Sequence, residues 1–69
     1  MAEKLNRIKI VLAEKEVTNR ELANKLGVKD LTVSRWVTNR QQPSLQTLYQ
    51  IADFLDVDIC DLLISNKEK

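Results

Sequence analysis

Histidine is absent from this chain, and cysteine, glycine, proline and each of the three aromatic residue types occur only once. Without histidine and with a single thiol, the usual combinations of nucleophile, base and metal ligand cannot be assembled. An enzyme is therefore not expected, and no catalytic or metal-binding residue is nominated. Cys60, being alone, cannot close an internal disulfide, which fits a reducing cytoplasm. The longest unbroken apolar run covers residues 10–13, far short of the roughly 18–20 residues of a membrane span. Glu3, Lys4 and Arg7 break up any signal-peptide pattern. A soluble, cytoplasmic protein with no cofactor and no membrane partner is the expectation.

What is present is enough for one small core. The 69 residues are 43% hydrophobic and 30% charged, which lies in the globular range and away from the disordered one. A net charge of +1 argues weakly against a polyanion partner. Its distribution is more informative: residues 1–17 carry +1, 18–42 carry +3 and 43–69 carry −3. A basic middle beside an acidic end suits a molecule with one face for polyanions and another turned away.

Helical spacing recurs along the chain. Leu5, Ile8 and Leu12 predict a first helix over about 3–15. Thr18 and Glu21 form the S/T-x-x-E capping box that starts a second helix, with Val17 and Leu22 placed as its hydrophobic staple. That helix runs into Gly27, the residue type that most readily adopts the left-handed conformation at a helix end. A short third helix over about 30–38 carries Val33 and Trp36 on one side and Thr32 and Arg35 on its polar surface. Asn39 tolerates left-handed geometry, and the polar run after it reaches Pro43, marking a loop. Ser44 caps a fourth helix over about 45–55, and Asp58 and Asp61 open a fifth over about 59–64. Residues 65–69 have no apolar anchor and are expected to fray, leaving a domain over 1–64.

Two short helices joined around a glycine make a helix-turn-helix, in which the first braces the second for entry into the DNA major groove. Ala23 supplies the small side chain that a close crossing needs, and Leu22, Leu26, Val28, Val33 and Trp36 stand where they can pack inward. Spacing from Val33 makes Trp36 a core residue rather than a stacking platform for bases, and Tyr49 and Phe54 are read as packing or surface residues. The aspartates at 53, 56, 58 and 61 lack the EF-hand pattern, and two of them already have capping roles.

Through "TNRELANKLGV", "TVSRW", "PSLQTL" and "IADFLDVDICDLL", residues 7–63 resemble the lambda-repressor-like, Cro/Xre-type helix-turn-helix regulators. The resemblance implies an all-α, five-helix domain that binds double-stranded DNA at a palindromic operator as a homodimer, formed in solution or on the DNA, and acts as a repressor or an activator, both of which use the same helix. It also implies that the third helix is the recognition helix, with Asp30, Leu31, Thr32 and Arg35 at base-facing positions. Arginine can donate bidentately to guanine, worth about 1–3 kcal/mol of discrimination, and leucine and threonine can meet thymine methyls. Asp30 either reads a cytosine amino group or caps the helix. Asn19 and Arg20, at the start of the second helix, match a phosphate clamp, and Lys29 and Arg40 flank the third as further phosphate contacts. Ile59, Pro43 and Leu63, with Ile64 beside them, match the dimer surface. No small-molecule inducer is predicted.

The chain departs from the family pattern in three ways, the third involving a pair of residues. Lys29 stands where many relatives have a capping Ser or Thr, and Asn39 replaces a frequent glycine. Leu12 and Val37 replace an Arg and a Glu that meet in the interior, a paired loss that leaves neither charge unpartnered. The alternative reading, from a different class, is a protein-interaction module of the antitoxin type.

Overall fold

Four helices form where local signals place them. In the computed structural model, which describes residues 4–65, they are α1 (Ile8–Lys15), α2 (Asn19–Leu26), α3 (Asp30–Val37) and α4 (Leu45–Leu55). The Thr18 hydroxyl accepts from the Glu21 amide while the Glu21 carboxylate accepts from the Thr18 amide, so both halves of the capping box are made. Ser44 caps α4 by accepting from the Thr47 amide at 3.1 Å. Each such cap contributes about 1 kcal/mol by satisfying an amide that the helix itself leaves open.

All four helices also end alike. A left-handed residue follows each, immediately after α1, α2 and α4 at Glu16 (φ 57°), Gly27 (φ 70°) and Asp56 (φ 58°), and one residue later after α3, where Thr38 precedes Asn39 (φ 60°). In each case the next amide reaches back five residues: Val17 to the Leu12 carbonyl, Val28 to Ala23, Arg40 to Arg35 and Val57 to Ala52. This is the Schellman closure, which satisfies carbonyls at the helix end. Gly27 and Asn39 are the two such stops visible in the sequence. Glu16 and Asp56 are not: glutamate is disfavoured there, and the tolerance that aspartate shares with asparagine does not by itself mark a helix end.

The five-helix expectation needs correction. Residues 59–64 do not form an α-helix: Ile59–Leu62 is a single 3₁₀ turn, closed by the Asp61 amide on the Asp58 carbonyl (2.8 Å) and the Leu63 amide on the Cys60 carbonyl (3.2 Å). Leu63 is then extended and forms an antiparallel bridge with Asn6, which ends the turn. The same bridge shortens the first helix, which starts at Ile8 rather than near residue 3. The Arg7 amide donates to the Leu62 carbonyl (2.9 Å) and the Ile64 amide to the Leu5 carbonyl (3.1 Å), so the backbone on either side of Asn6 is committed to the bridge and not to a helix. Of the expected tail over 65–69, all but Ser65 lies outside the described residues.

Between these elements sits one core. Ile8, Val11, Leu22, Val33, Ile51 and Leu62 are its largest fully buried side chains and draw on every helix and on the 3₁₀ turn. Each such side chain contributes about 1.5–3 kcal/mol when taken out of water. Leu12 and Val37 both lie in this core, as their paired apolar character requires, and Trp36 is buried with them. Leu5, by contrast, is 47% exposed and leaves the apolar face assigned to it.

Candidate nucleic-acid interface

The candidate surface is built from the α2–α3 junction. Ala23 is fully buried on α2, while Leu26 and Val28 on either side of Gly27 are partly buried against the core. Gly27 has nothing within 4 Å of where a Cβ would stand, so its role is conformational: the chain needs a positive φ there, not an empty space. With Val33, Trp36 and Val37 buried, α3 has one inward side and is left with one outward. On that outward side Asp30, Leu31 and Arg35 are exposed, and Thr32 is half-buried. Leu31 is 58% exposed, which gains nothing in the isolated chain and suits an apolar contact made elsewhere.

Charge is arranged around this helix rather than along it. Asn19, Arg20 and Lys29 are all exposed at the beginnings of α2 and α3, and Arg40 is exposed just beyond the end of α3. Lys29 is the N-cap residue of α3 but makes no side-chain cap. Asp30 does not replace it as a cap: it is the first residue inside the helix, where its carboxylate is favoured by the N-terminal dipole. It also meets the Arg20 guanidinium at 3.5 Å, a solvent-exposed pair that ties the start of α2 to the start of α3. Such a pair is weak in water and easily exchanged for a stronger partner. Among the described residues, Arg35 has no ion-pair or hydrogen-bond partner for its side chain.

A helix-turn-helix family model matches residues 8–62, the span from the first residue of α1 to the last of the 3₁₀ turn. The chain belongs to the Cro/Xre-type family of DNA-binding helix-turn-helix regulators. The regulator is similar in structure to a candidate DNA-binding protein from Bacteroides fragilis, at 52% identity and a TM-score of 0.86, with 87% of this chain and 97% of that one covered. It is also similar to the N-terminal DNA-binding domain of SinR from Bacillus subtilis, at 38% identity and a TM-score of 0.72, covering 90% and 91%. Antitoxin HipB of Escherichia coli O6:H1 (strain CFT073) is 34% identical over 58 residues, which is 81% of this chain. The regulator spans 62% of the length of that relative.

The residues nominated for a dimer surface are less uniformly available than those nominated for DNA. Pro43 is buried within the chain itself, Ile59 is half-buried against the core, and Leu63 is 39% exposed while its backbone holds the bridge to Asn6. Cys60 is exposed and free, and the Asp58 carboxylate, which shares a hydrogen bond with it, pushes its thiol pKa up, away from the reactive thiolate.

Sequence reasoning missed the group that fixes the far end of α3. Asn39 is buried, and its Oδ1 accepts from the amides of Leu5 (2.8 Å) and Asn6 (2.9 Å), while its Nδ2 donates to the Asn6 carbonyl (3.1 Å). Asn6 Nδ2 in turn donates to the Trp36 carbonyl (3.0 Å) and to Gln42 Oε1 (2.7 Å), and Asn6 Oδ1 accepts from the Ile8 amide at 3.1 Å. Two asparagines and a glutamine thereby hold the end of α3 to the entry of α1. Only the left-handed tolerance of Asn39 was a local signal; its partners lie 33 and 34 residues away in sequence.

Proposed function

We propose that this regulator is a sequence-specific repressor that binds a palindromic operator as a homodimer, with α3 in the major groove. The observation that carries this reading is the division of α3, whose buried side is anchored by Val33, Trp36 and Val37 while Asp30, Leu31 and Arg35 face water. In this reading Arg35 reads guanine, Leu31 and Thr32 meet thymine methyls, and Asp30 accepts from a cytosine amino group once Arg20 is drawn to a phosphate. Asn19, Lys29 and Arg40 hold the phosphates on either side and carry no sequence information. Ile59 and Leu63 supply the exposed part of the dimer contact, and Pro43 shapes the loop behind it.

The test is selection of bound duplexes from a random library at near-physiological salt. An inverted repeat with half-sites about one helical turn apart is the expected result. Arg35→Ala should relax preference at one position of each half-site, while Lys29→Ala should weaken every duplex alike and reduce the salt slope by about one unit. Equal effects of both changes on specific and random DNA would sink that assignment.

The 34% identity to Antitoxin HipB favours a second reading, in which the same domain also engages a partner protein. A folded sample that enriches no sequence would move the weight there.

A further inference from the structure

The bridge between Asn6 and Leu63 closes one side of a surface groove of about 510 Å³, whose other side is the end of α3. Ile10, Val37, Leu63 and Ile64 supply its apolar lining. Three of these, Ile10, Leu63 and Ile64, belong to the small set of large apolar side chains the molecule leaves exposed, at 50%, 39% and 41%. Concentration of such residues in one concave place marks a binding site more often than chance exposure does.

The remaining lining decides the chemistry. Lys4, Arg7 and Lys9 stand around the groove, and no carboxylate lines it among the described residues. None of the three cations has an ion-pair partner among those residues. The Arg7 guanidinium is fixed by donating to the Asp61 carbonyl at 2.9 Å, so at least one of these charges is held in place rather than swung into solvent. Asn6 and Asn39 also line the groove, but their polar atoms are committed to each other and to the backbone. A second copy docked symmetrically would set three cations against three, which charge repulsion opposes. An uncharged hydrocarbon would leave them unanswered.

We infer that this groove binds a small amphiphilic carboxylate, an acyl chain on the apolar lining with its head among Lys4, Arg7 and Lys9. The volume falls in the ordinary range for small-molecule sites, roughly 300–1,000 Å³. No inducer site was legible in the sequence because the groove joins residues 4–10 to residues 63–65 and to the end of the recognition helix. The groove shares Leu63 with the dimer contact proposed above but not Lys4, Lys9 or Ile10, so variants at those three positions test the groove without altering a residue assigned to DNA reading or to that contact.

Octanoate is the probe, titrated into the purified protein while backbone amide resonances are followed by NMR. Saturable shifts confined to residues 6–10, 37–39 and 63–65 are expected, with octanol and acetate each binding at least tenfold more weakly. Ile10→Asp replaces an exposed side chain and should abolish binding without unfolding the protein, as the unchanged Trp36 environment would show. Lys4→Ala with Lys9→Ala should weaken octanoate roughly fivefold, as two exposed charge contacts do. The inference is overturned if shifts appear equally around Leu31, Leu45 and Tyr49, if octanol binds as well as octanoate, if Ile10→Asp binds normally, or if no saturation precedes self-association of the probe. A groove that takes an acidic apolar peptide and refuses octanoate would overturn it in favour of a protein partner.

Discussion

Gly27 and Asn39 bracket α3, adopt nearly the same backbone conformation (φ 70° and 60°) and close their helices with the same pair of hydrogen bonds, yet they serve different ends. Gly27 is exposed, meets nothing, and is there for its torsion angle. Asn39 is buried and spends its whole amide on residues 5, 6 and 42. One turn lets α3 leave α2 at the required angle; the other pins α3 to the opposite end of the chain. A shared backbone shape therefore says little about what a position contributes until its side chain is accounted for.

The largest expected effect separates the two turns directly. Asn39→Gly keeps the left-handed turn but strands the amides of Leu5 and Asn6, and should lower unfolding free energy by about 2–3 kcal/mol in urea titrations. A neutral result would mean that Asn39 is only a tolerated turn residue, like Gly27. Gly27→Ala comes next, losing about 1 kcal/mol to backbone strain alone, and Gly27→Asn should recover most of it because the site has room for a side chain.

Smaller still, and opposite in sign, are changes at the other two left-handed ends. Glu16→Gly and Asp56→Gly should each raise stability by about 0.5–1 kcal/mol in the same titration, since neither side chain is used as Asn39 is. A loss at either position would reveal a contact role there.

The smallest effect distinguishes a neutral network from a charged one. Asn6, Asn39 and Gln42 do not titrate, so the deficit of Asn39→Gly should be the same at pH 4 and pH 7. Asp58 does titrate: hydrogen bonds from the Cys60 backbone amide and thiol hold its carboxyl pKa below the usual carboxylate range. Its contribution is present above the unfolded pKa and is lost as pH falls through the lower folded value. Thermal unfolding of Asp58→Asn should therefore match the parent chain at very low pH and fall slightly behind it above pH 4.

Legibility followed sequence distance. The Thr18–Glu21 box, Gly27, the Ser44 cap and the span Leu45–Leu55 are encoded within a few residues and emerge as read. The exposed set on α3 was also legible, because burial of Val33 and Trp36 fixes which residues face out. The Arg20–Asp30 pair joins residues ten apart across a turn, and periodicity carries no trace of it. Residues 4–7 read as helix because Leu5 keeps the helical spacing, and only a partner more than fifty residues later in the chain draws them out of it. Pro43 was nominated for a surface on the strength of its loop and proved to be covered by its own chain.

The Asn6–Leu63 bridge has a consequence for synthesis on the ribosome. α2 and α4 carry N-terminal caps from within a few residues, but the entry into α1 waits for backbone partners at residues 62 and 64. The first segment to be made is thus among the last to settle, because it pairs only once the residues beyond α4 are free to reach it.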